Sequence, residues 1–197
     1  NDSDNHLRCV FAAPTASSIL DDYKERFGIE AFVEVFGLTE TCMPILTPYG
    51  VDRPAGAAGL LNKDWFDIRL VDPETDEEVD IGEVGELIVR ANFPFTSCQG
   101  YFAMPDKTVE AFRNLWFHTG DGLRRDEDGW YYFVDRLKDA LRRRGENISS
   151  YEVEQAFLKI PEVTEAAAFA VPAEGGAGME DEVMVALMIN KGSDIQY

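Results

Sequence analysis

A strand–helix–strand pattern near the start of the chain restricts the fold more than any other feature. Two apolar runs, "LRCVFAA" at 7–13 and "IEAFVEVF" at 29–36, are predicted strands, and 16–27 between them has the apolar spacing of a helix. Gly28 follows this helix as a stop signal. Strands joined in this way lie parallel, and ligands bind such sheets at the carboxyl ends of the strands. The stretch "GLTETCMP" begins at one of those ends.

The middle of the chain, 51–134, has a different pattern. Short strand-like runs such as "DIRLVD", "GELIVR" and "WYYFVDR" alternate with turn sequences such as "DPETDEE" and "DEDG". This alternation predicts an antiparallel or barrel-like β region. One predicted helix at 105–114 interrupts the region, with Pro105 in a favourable first-turn position.

The last part of the chain predicts a small α+β unit. Ser149 and Glu152 have the spacing of a capping box, and an apolar helical face follows them up to Pro161. Two predicted strands, 163–171 and 182–190, come next. The predicted fold is therefore an α/β part, a β-barrel-like region and a small α+β C-terminal subdomain.

The charge balance of the chain limits its partners. Asp and Glu number 37 against 18 Lys and Arg, which gives a net charge of −19. Such a surface repels nucleic-acid phosphates and anionic lipids, so we expect neither general nucleic-acid binding nor membrane binding. The sequence contains no signal peptide and no apolar run long enough for a transmembrane segment.

The cysteines indicate the redox compartment. Cys9, Cys42 and Cys98 are odd in number, far apart and without a C-x-x-C pair. This pattern argues against a disulfide framework and against a zinc site. It favours a reducing compartment, and we expect the cytoplasm.

Five of the 18 basic residues lie within 136–144, directly before Gly145. This basic run is short, lacks interleaved aromatic residues and belongs to an acidic chain, so it does not favour nucleic-acid binding. It is either a solvated strand face or a local phosphate site beside a hinge. Its members are Arg136, Lys138, Arg142, Arg143 and Arg144.

The stretch "VFGLTET" at 35–41 has side chains suited to a nucleotide and a hard cation. The Thr39 hydroxyl can donate to a phosphate oxygen, and the Glu40 carboxylate is the ligand type that Mg²⁺ prefers. Phe36 offers a flat face to a base. The alternative is a strand end followed by an ordinary polar turn, because short motifs of this kind are loose.

The stretch "FHTGD" at 117–121 predicts a tight corner between two strands at Gly120 and Asp121. A carboxylate held there can accept hydrogen bonds from both hydroxyls of a ribose, as acidic residues do in dinucleotide sites. The alternative is an ordinary hairpin corner. His118 has no partner at metal-site or triad spacing and is predicted to be structural.

Taken in order, these stretches resemble the adenylate-forming superfamily, which includes acyl-CoA synthetases, firefly luciferase and the adenylation domains of peptide synthetases. "FGLTE" resembles the aromatic-G-x-T-E motif, "GELIVR" followed by "GYF" resembles the G-E-L segment and its Gly-Tyr, and "FHTGD" resembles the T-G-D motif. "VDRLKDALRRRGENISSYEVE" resembles the hinge motif. "GENIS" favours the acyl-CoA ligase branch, and "YYFVDR" is similar to fatty-acyl-CoA and carnitine/crotonobetaine-CoA ligases.

The resemblance implies an acid–thiol ligase with a two-step reaction. A carboxylate attacks the α-phosphate of ATP to give acyl-adenylate and pyrophosphate, and the thiol of CoA then attacks the acyl carbon and releases AMP. ATP, Mg²⁺ and CoA would thus serve the reaction. The residues at 41–44 are small to medium in size and suit an aliphatic carboxylate.

The same resemblance assigns roles to eight residues. Thr39 would act on phosphate or the adenylate, and Glu40 would hold Mg²⁺. The remaining contacts would come from Phe36 on adenine, Gly37 in the same motif, Asp121 on the ribose diol, Arg136 on ribose or phosphate, Lys138 at the hinge and Gly145 beside pantetheine. The implied subdomains are 1–50 at the end of the parallel α/β part, 51–134 as the barrel-like part, 135–139 as the hinge and 140–197 as a truncated α+β part.

Parts of the family pattern are not found in this sequence. "AAP" at 12–14 replaces the glycine-rich adenine loop, only 35 residues precede Phe36, and no Ser/Thr/Gly-rich phosphate loop is found. Lys191 in "INKGSD" does not match the family's C-terminal catalytic lysine motif. We therefore expect a fragment of the acyl-CoA synthetase fold that does not form acyl-adenylate on its own.

Three functions remain open from the sequence. The first is part of an acyl-CoA ligase, which "GENIS" favours. The second is part of an adenylating enzyme that passes its acyl group to a carrier-protein thiol or to oxygen. The third is a non-catalytic module that binds nucleotide or a partner through an inherited fold.

The basic run generates a test of CoA binding. If Arg142, Arg143 and Arg144 face the phosphates of CoA, their replacement by glutamine in the complete protein raises the Michaelis constant for CoA, because an attractive charge is lost. Pyrophosphate exchange, which does not need CoA, stays unchanged. An equal fall in exchange would contradict the assignment.

Overall fold

The N-terminal part folds as the predicted βαβ unit. In the computed structural model, β1 (Cys9–Ala12) and β2 (Ala31–Leu38) pair in parallel, and α1 (Ser17–Phe27) connects them. Gly28 has a φ of +66°, a conformation that glycine adopts without steric cost, and it ends α1 as expected. The parallel pair is confirmed.

The structure describes the backbone of most of the chain. The described residues are 2–13, 17–137, 141–143, 146–171 and 182–190, and the side chains of 17–19, 141–143 and 146–147 are not described.

Two further strands complete the first sheet. After β2 the chain reverses into β3 (Cys42–Leu46), which pairs antiparallel with β2 and with the short β4 (Leu60–Leu61). The strand order is β1-β2-β3-β4, so the sheet is mixed. Pro44 lies inside β3, where its carbonyl accepts a hydrogen bond from the Asn62 N–H at 2.9 Å. The sequence did not predict β3, since proline inside a run argues against a strand.

The second sheet is an antiparallel meander, as predicted for the middle of the chain. Its four strands neighbour one another in chain order, and no closed barrel forms among the described residues. The strands are β5 (Phe66–Val71), β6 (Val84–Ala91), β7 (Phe117–Arg125) and β8 (Tyr131–Arg136).

One helix lies between β6 and β7. This helix, α2 (Pro105–Ala111), begins at the proline that the sequence marked as its start. It ends before 114, the predicted limit, because a 3₁₀ turn at Arg113–Leu115 follows and Asn114 has a φ of +56°, which no α-helix contains.

Side chains from both sheets form the main core. On β5 the inward residues alternate with outward ones, which is the period of a strand with one buried face. Ile45 of β3 packs into the same cluster, so the core joins the first sheet to the second. The buried members are Ile45, Phe66, Ile68, Leu70, Leu87, Val89, Leu123 and Tyr131.

The chain divides into two compact units, Asn1–Phe133 and Val134–Tyr197, with the division inside β8. In the described part of the second unit, the strands form two antiparallel pairs, each made of two strands that follow one another along the chain. The hinge expected at 135–139 stays a prediction. The elements of the second unit are β9 (Leu141–Arg143), β10 (Glu146–Ile148), α3 (Ser150–Phe157), β11 (Val163–Val171) and β12 (Glu182–Ile189).

The start of α3 is tied to the end of β8. The Ser149 hydroxyl accepts a hydrogen bond from the Glu152 N–H at 3.2 Å, so Ser149 is the predicted N-cap. The buried Asp135 carboxylate accepts both the N–H and the hydroxyl of Ser150, at 2.6 and 3.0 Å. These contacts fix the direction in which the helix leaves the strand within the second unit.

Candidate functional site

The "FGLTE" stretch forms the end of a tight hairpin between β2 and β3. Thr41 N–H donates to the Leu38 carbonyl at 3.1 Å and closes the turn. The pairing shifts between Phe36 and Leu38, and a side chain at Gly37 would overlap the carbonyl oxygen of Cys42. Only glycine fits this close approach of two backbones. The hairpin therefore presents 39–41 at its tip.

Glu40 is held in place from a distant part of the chain. The Tyr101 hydroxyl donates to the Glu40 carboxylate at 2.9 Å, and the Cys98 N–H donates to the Glu40 carbonyl at 2.8 Å. Burial and the hydrogen bond to Glu40 raise the pKa of Tyr101 to about 12, so its hydroxyl stays a donor at neutral pH. The Glu40 side chain is half-buried, whereas Thr39 beside it is exposed.

Tyr101 is itself positioned by the start of α2. Its N–H donates to the Thr108 hydroxyl at 2.9 Å, and that hydroxyl donates to the Met104 carbonyl at 3.0 Å. In the sequence, Tyr101 stands out only as part of the "GYF" motif. Nothing local in the sequence indicates its contact with Glu40, because the two residues lie 61 positions apart.

Phe36, predicted as a platform for a base, contacts another aromatic ring. Its ring stacks on Phe133 with 6.1 Å between centroids and an angle of 29° between the planes. Phe36 is half-buried and also packs against the main core. Stacking on a base stays a prediction.

Asp121 is buried inside β7 and does not lie at a corner between strands. Gly122 pairs with Glu86 and His118 pairs with Ile88, so three residues, 119–121, face the single Leu87. This arrangement is a bulge, which we call the T-G-D bulge. The predicted corner at Gly120 and Asp121 is therefore wrong. The turn between β7 and β8 comes later, after Arg125.

Hydrogen bonds and one positive φ angle explain why the T-G-D bulge has threonine and glycine before Asp121. The Thr119 hydroxyl donates to the Leu87 carbonyl at 2.8 Å and accepts the Asp121 N–H at 3.0 Å. Gly120 has a φ of +72°, where glycine is favoured, and its N–H donates to the Glu86 carboxylate at 3.0 Å. The bulge thereby fixes the backbone that carries the Asp121 carboxylate, which is 3% exposed.

Glu86 is a site residue that the sequence analysis did not single out. Its carboxylate is buried and lies 3.0 Å from Nδ1 of His118 and 3.2 Å from Nη2 of Arg113. Arg113 also contacts Asp76 at 3.3 Å. His118, predicted to be structural, is thus buried against a carboxylate. The signal for Glu86 in the sequence was its place in "GELIVR".

The predicted residues of the second unit are described only in part. Arg136 is exposed at the end of β8, and its N–H donates to the Asp135 carboxylate at 2.7 Å. Lys138, Gly145 and Arg144 lie outside the described residues, as do the side chains of Arg142 and Arg143. The structure brings Phe36, Gly37, Thr39 and Glu40 together in one hairpin, and Asp121 lies in the second sheet of the same unit.

The Glu40 carboxylate at the hairpin tip is a suitable ligand for Mg²⁺ that is also bound by water and substrate phosphates. Among the described residues no group of three or more His, Cys, Asp or Glu side chains could hold a metal ion. Mg²⁺ is typically bound by one or two carboxylates, with water and substrate phosphates as its other ligands. A single oriented carboxylate at Glu40 is suited to that mode. No helix in the described part is long and apolar enough to cross a membrane.

The chain is similar to known proteins both in sequence and in fold. The sequence model of the family described as "AMP-binding enzyme" matches residues 2–102. The chain belongs to this family. The resemblance to adenylate-forming enzymes is thereby confirmed.

Members of this family from other organisms are similar along nearly the whole chain. A medium/long-chain-fatty-acid–CoA ligase of Mycobacterium tuberculosis is 34% identical over 193 residues, which cover 98% of this chain and 36% of the ligase. A feruloyl-CoA synthase of Amycolatopsis is 36% identical over 162 residues, covering 81% of this chain and 32% of the synthase. The chain therefore spans about a third of the length of these curated relatives.

Solved structures confirm the fold. The ATP-bound MatB of Rhodopseudomonas palustris superposes with a TM-score of 0.78 at 31% identity, covering 96% of this chain and 36% of MatB. The mixed α/β architecture of this chain is thus the one found in adenylate-forming enzymes.

The two threonines of the candidate site differ in what they contribute to stability. Replacing Thr119 by valine leaves the buried Leu87 carbonyl and Asp121 N–H without their shared partner, and we expect a loss of about 1–3 kcal/mol in the free energy of unfolding. Thr39→Val is the matched control, with a change of about 0.5 kcal/mol or less because Thr39 is exposed.

Urea unfolding followed by tryptophan fluorescence measures both changes. The three tryptophans, Trp65, Trp116 and Trp130, all belong to the first unit, which also contains both threonines. Equal unfolding midpoints for the two variants would contradict the role given to the Thr119 hydroxyl.

Proposed function

We propose that the complete protein carrying this chain is an ATP-dependent acyl-CoA ligase. In the first step a carboxylate oxygen of the substrate attacks the α-phosphorus of ATP and pyrophosphate leaves. In the second step the thiol of CoA attacks the acyl carbon, the thioester forms and AMP leaves. The observation that carries the proposal is the oriented Glu40 carboxylate beside the exposed Thr39 hydroxyl, in a chain of the AMP-binding family.

The hairpin tip would serve the phosphates. Glu40 would hold Mg²⁺, which supplies neutralisation of phosphate charge when it is bound. Tyr101 occupies one carboxylate oxygen of Glu40 and limits its rotation, so the residue meets the ion in one orientation. The Thr39 hydroxyl would donate to a phosphate oxygen or to the adenylate. Such catalysis consists of positioning and of charge stabilisation.

The nucleoside would be held by the second sheet and the aromatic of the hairpin. The Asp121 carboxylate would accept the two ribose hydroxyls, because the T-G-D bulge fixes its backbone. The half-buried Phe36 would contact adenine, and Gly37 would keep the hairpin narrow beside it. The roles of Arg136 on ribose or phosphate, Lys138 at a hinge and Gly145 beside pantetheine rest on the family motif alone.

Substrate, acceptor and compartment are finer parts of the proposal. We assign an aliphatic carboxylate from the small and medium residues at 41–44, and CoA as acceptor from "GENIS". We assign a reducing compartment, the cytoplasm, from the odd number and wide spacing of the three cysteines. The isolated 197-residue chain would not form acyl-adenylate, since its sequence has no phosphate loop and no catalytic lysine motif.

The function is tested on the complete reading frame that encodes this chain. The protein receives Mg-ATP and a panel of carboxylates, with and without CoA, and AMP and acyl-CoA are measured by mass spectrometry. We expect CoA-dependent acyl-CoA formation, and a fall of at least about 10-fold in the Asp121→Asn variant, which loses a charged partner of the ribose.

The controls of this assay separate the other functions. Asp67→Asn removes an exposed carboxylate of β5 that pairs with Arg90 at 2.8 Å, and it leaves the rate unchanged. Acyl transfer to a carrier protein without need for CoA would favour the second function. Absence of AMP with every carboxylate would favour a non-catalytic nucleotide-binding module.

The hydrogen bond from Tyr101 to Glu40 gives a test of the metal role. Tyr101→Phe frees the carboxylate, and we expect the Mg²⁺ concentration for half-maximal pyrophosphate exchange to rise about 10-fold. Mn²⁺ binding to the ATP-loaded protein, measured by electron paramagnetic resonance, weakens in parallel. Tyr49→Phe, at a 63% exposed position, is the control and changes neither value. An unchanged Mn²⁺ affinity in Tyr101→Phe would contradict the role of this hydrogen bond.

A further inference from the structure

The Glu86 carboxylate takes no direct part in the proposed reaction, yet it is 4% exposed and surrounded by donors. One oxygen accepts the N–H of Gly120 at 3.0 Å. The other lies 3.0 Å from Nδ1 of His118 and 3.2 Å from Nη2 of Arg113. Two other segments of the chain, β7 and the 3₁₀ turn that contains Arg113, therefore contact this one side chain of β6.

A buried carboxylate is costly unless donors surround it, so its presence calls for a physical reason. If β6 and β7 paired regularly at this position, no buried carboxylate would be needed, because the backbone N–H and C=O groups of the two strands would bond to each other. Here the ladder is interrupted by the T-G-D bulge, and Gly120 has no partner in the register of β6 and β7. The Glu86 side chain replaces that missing partner.

This replacement acts directly on the residue before Asp121. The Glu86 contact fixes Gly120, and the Thr119 hydroxyl fixes the Asp121 N–H at 3.0 Å. The peptide groups on both sides of the Gly120 Cα are thereby held, and with them the direction in which the Asp121 side chain leaves the strand. His118 and Arg113 hold the Glu86 carboxylate in turn and limit its rotation.

We propose that Glu86 is a positioning residue for nucleotide recognition: through Gly120 it fixes the orientation in which Asp121 meets the ribose hydroxyls. The inference rests on the proposed function, in which Asp121 binds ribose. It differs from a purely structural role in one respect. A structural acid changes stability and affects every ligand alike, whereas a positioning acid affects only ligands that have the ribose hydroxyls.

The test compares ATP with 2′,3′-dideoxy-ATP, both with Mg²⁺, binding to the complete protein by calorimetry. Glu86→Gln keeps the shape of the side chain but only one acceptor oxygen, so it cannot serve both the Gly120 N–H and the donors of His118 and Arg113. We expect this variant to bind ATP about 10-fold more weakly and dideoxy-ATP within about 2-fold of the parent protein. Asp67→Asn, which removes an exposed carboxylate from β5, is the matched control and changes neither affinity.

A second variant keeps the test valid if Glu86→Gln does not fold. Arg113 is 38% exposed, so Arg113→Gln is tolerated more easily and still removes one donor from the Glu86 carboxylate. We expect a smaller loss in the same direction, about 3-fold for ATP and none for dideoxy-ATP. If Arg113→Gln is the only folded variant and its affinity for ATP is unchanged, the inference is overturned.

Asp121→Asn separates this inference from the function on which it rests. If that variant still prefers ATP to dideoxy-ATP, the ribose assignment itself fails, whatever Glu86 does. If Asp121→Asn loses the preference and Glu86→Gln keeps it, the function stands and the positioning role is overturned. An equal loss for both nucleotides in Glu86→Gln would mean a structural acid and would also overturn the role.

Discussion

The hydrogen bond from the Gly120 N–H to the buried Glu86 carboxylate is the interaction on which the second sheet depends. A strand with three residues opposite one has a backbone donor without a ladder partner, and leaving such a donor buried and unpaired costs about 1–3 kcal/mol. Glu86 removes that cost, and Thr119 does the same for the next N–H. The second sheet thus contains the buried Asp121 while β6 and β7 stay paired on both sides of the bulge.

The first sheet has a different task, which is to hold one carboxylate in place beside an exposed hydroxyl. The narrow approach at Gly37 closes the hairpin, and a loop from far along the chain holds Glu40 through its carbonyl and its carboxylate. Thr39 next to it has no such restraint and stays exposed. A rigid acceptor and an accessible donor therefore stand side by side at one hairpin tip.

Local sequence patterns predicted the secondary structure elements, but they did not predict features that depend on contacts between residues far apart in the chain. Periodicity located the βαβ unit and the meander, because apolar spacing reflects burial within each element. It failed at β3, where Pro44 is tolerated because only its carbonyl is used. It also failed at the T-G-D bulge, where Gly120 needs Glu86, 34 positions away along the chain. The candidate residues came from short motifs, whereas Tyr101, which holds one of them, has no local signal.

The two glycines of the site are required for different reasons, and substitutions at them are tolerated differently. At Gly120 the restriction is one of handedness: its φ is positive, but nothing lies where a side chain would begin. Asparagine adopts a positive φ more readily than most residues, so we expect Gly120→Asn to be tolerated. At Gly37 the restriction is one of volume, because the backbone of Cys42 already fills the space, and no other amino acid is small enough. We therefore expect homologous chains to vary in sequence at the position of Gly120 and to keep glycine at the position of Gly37.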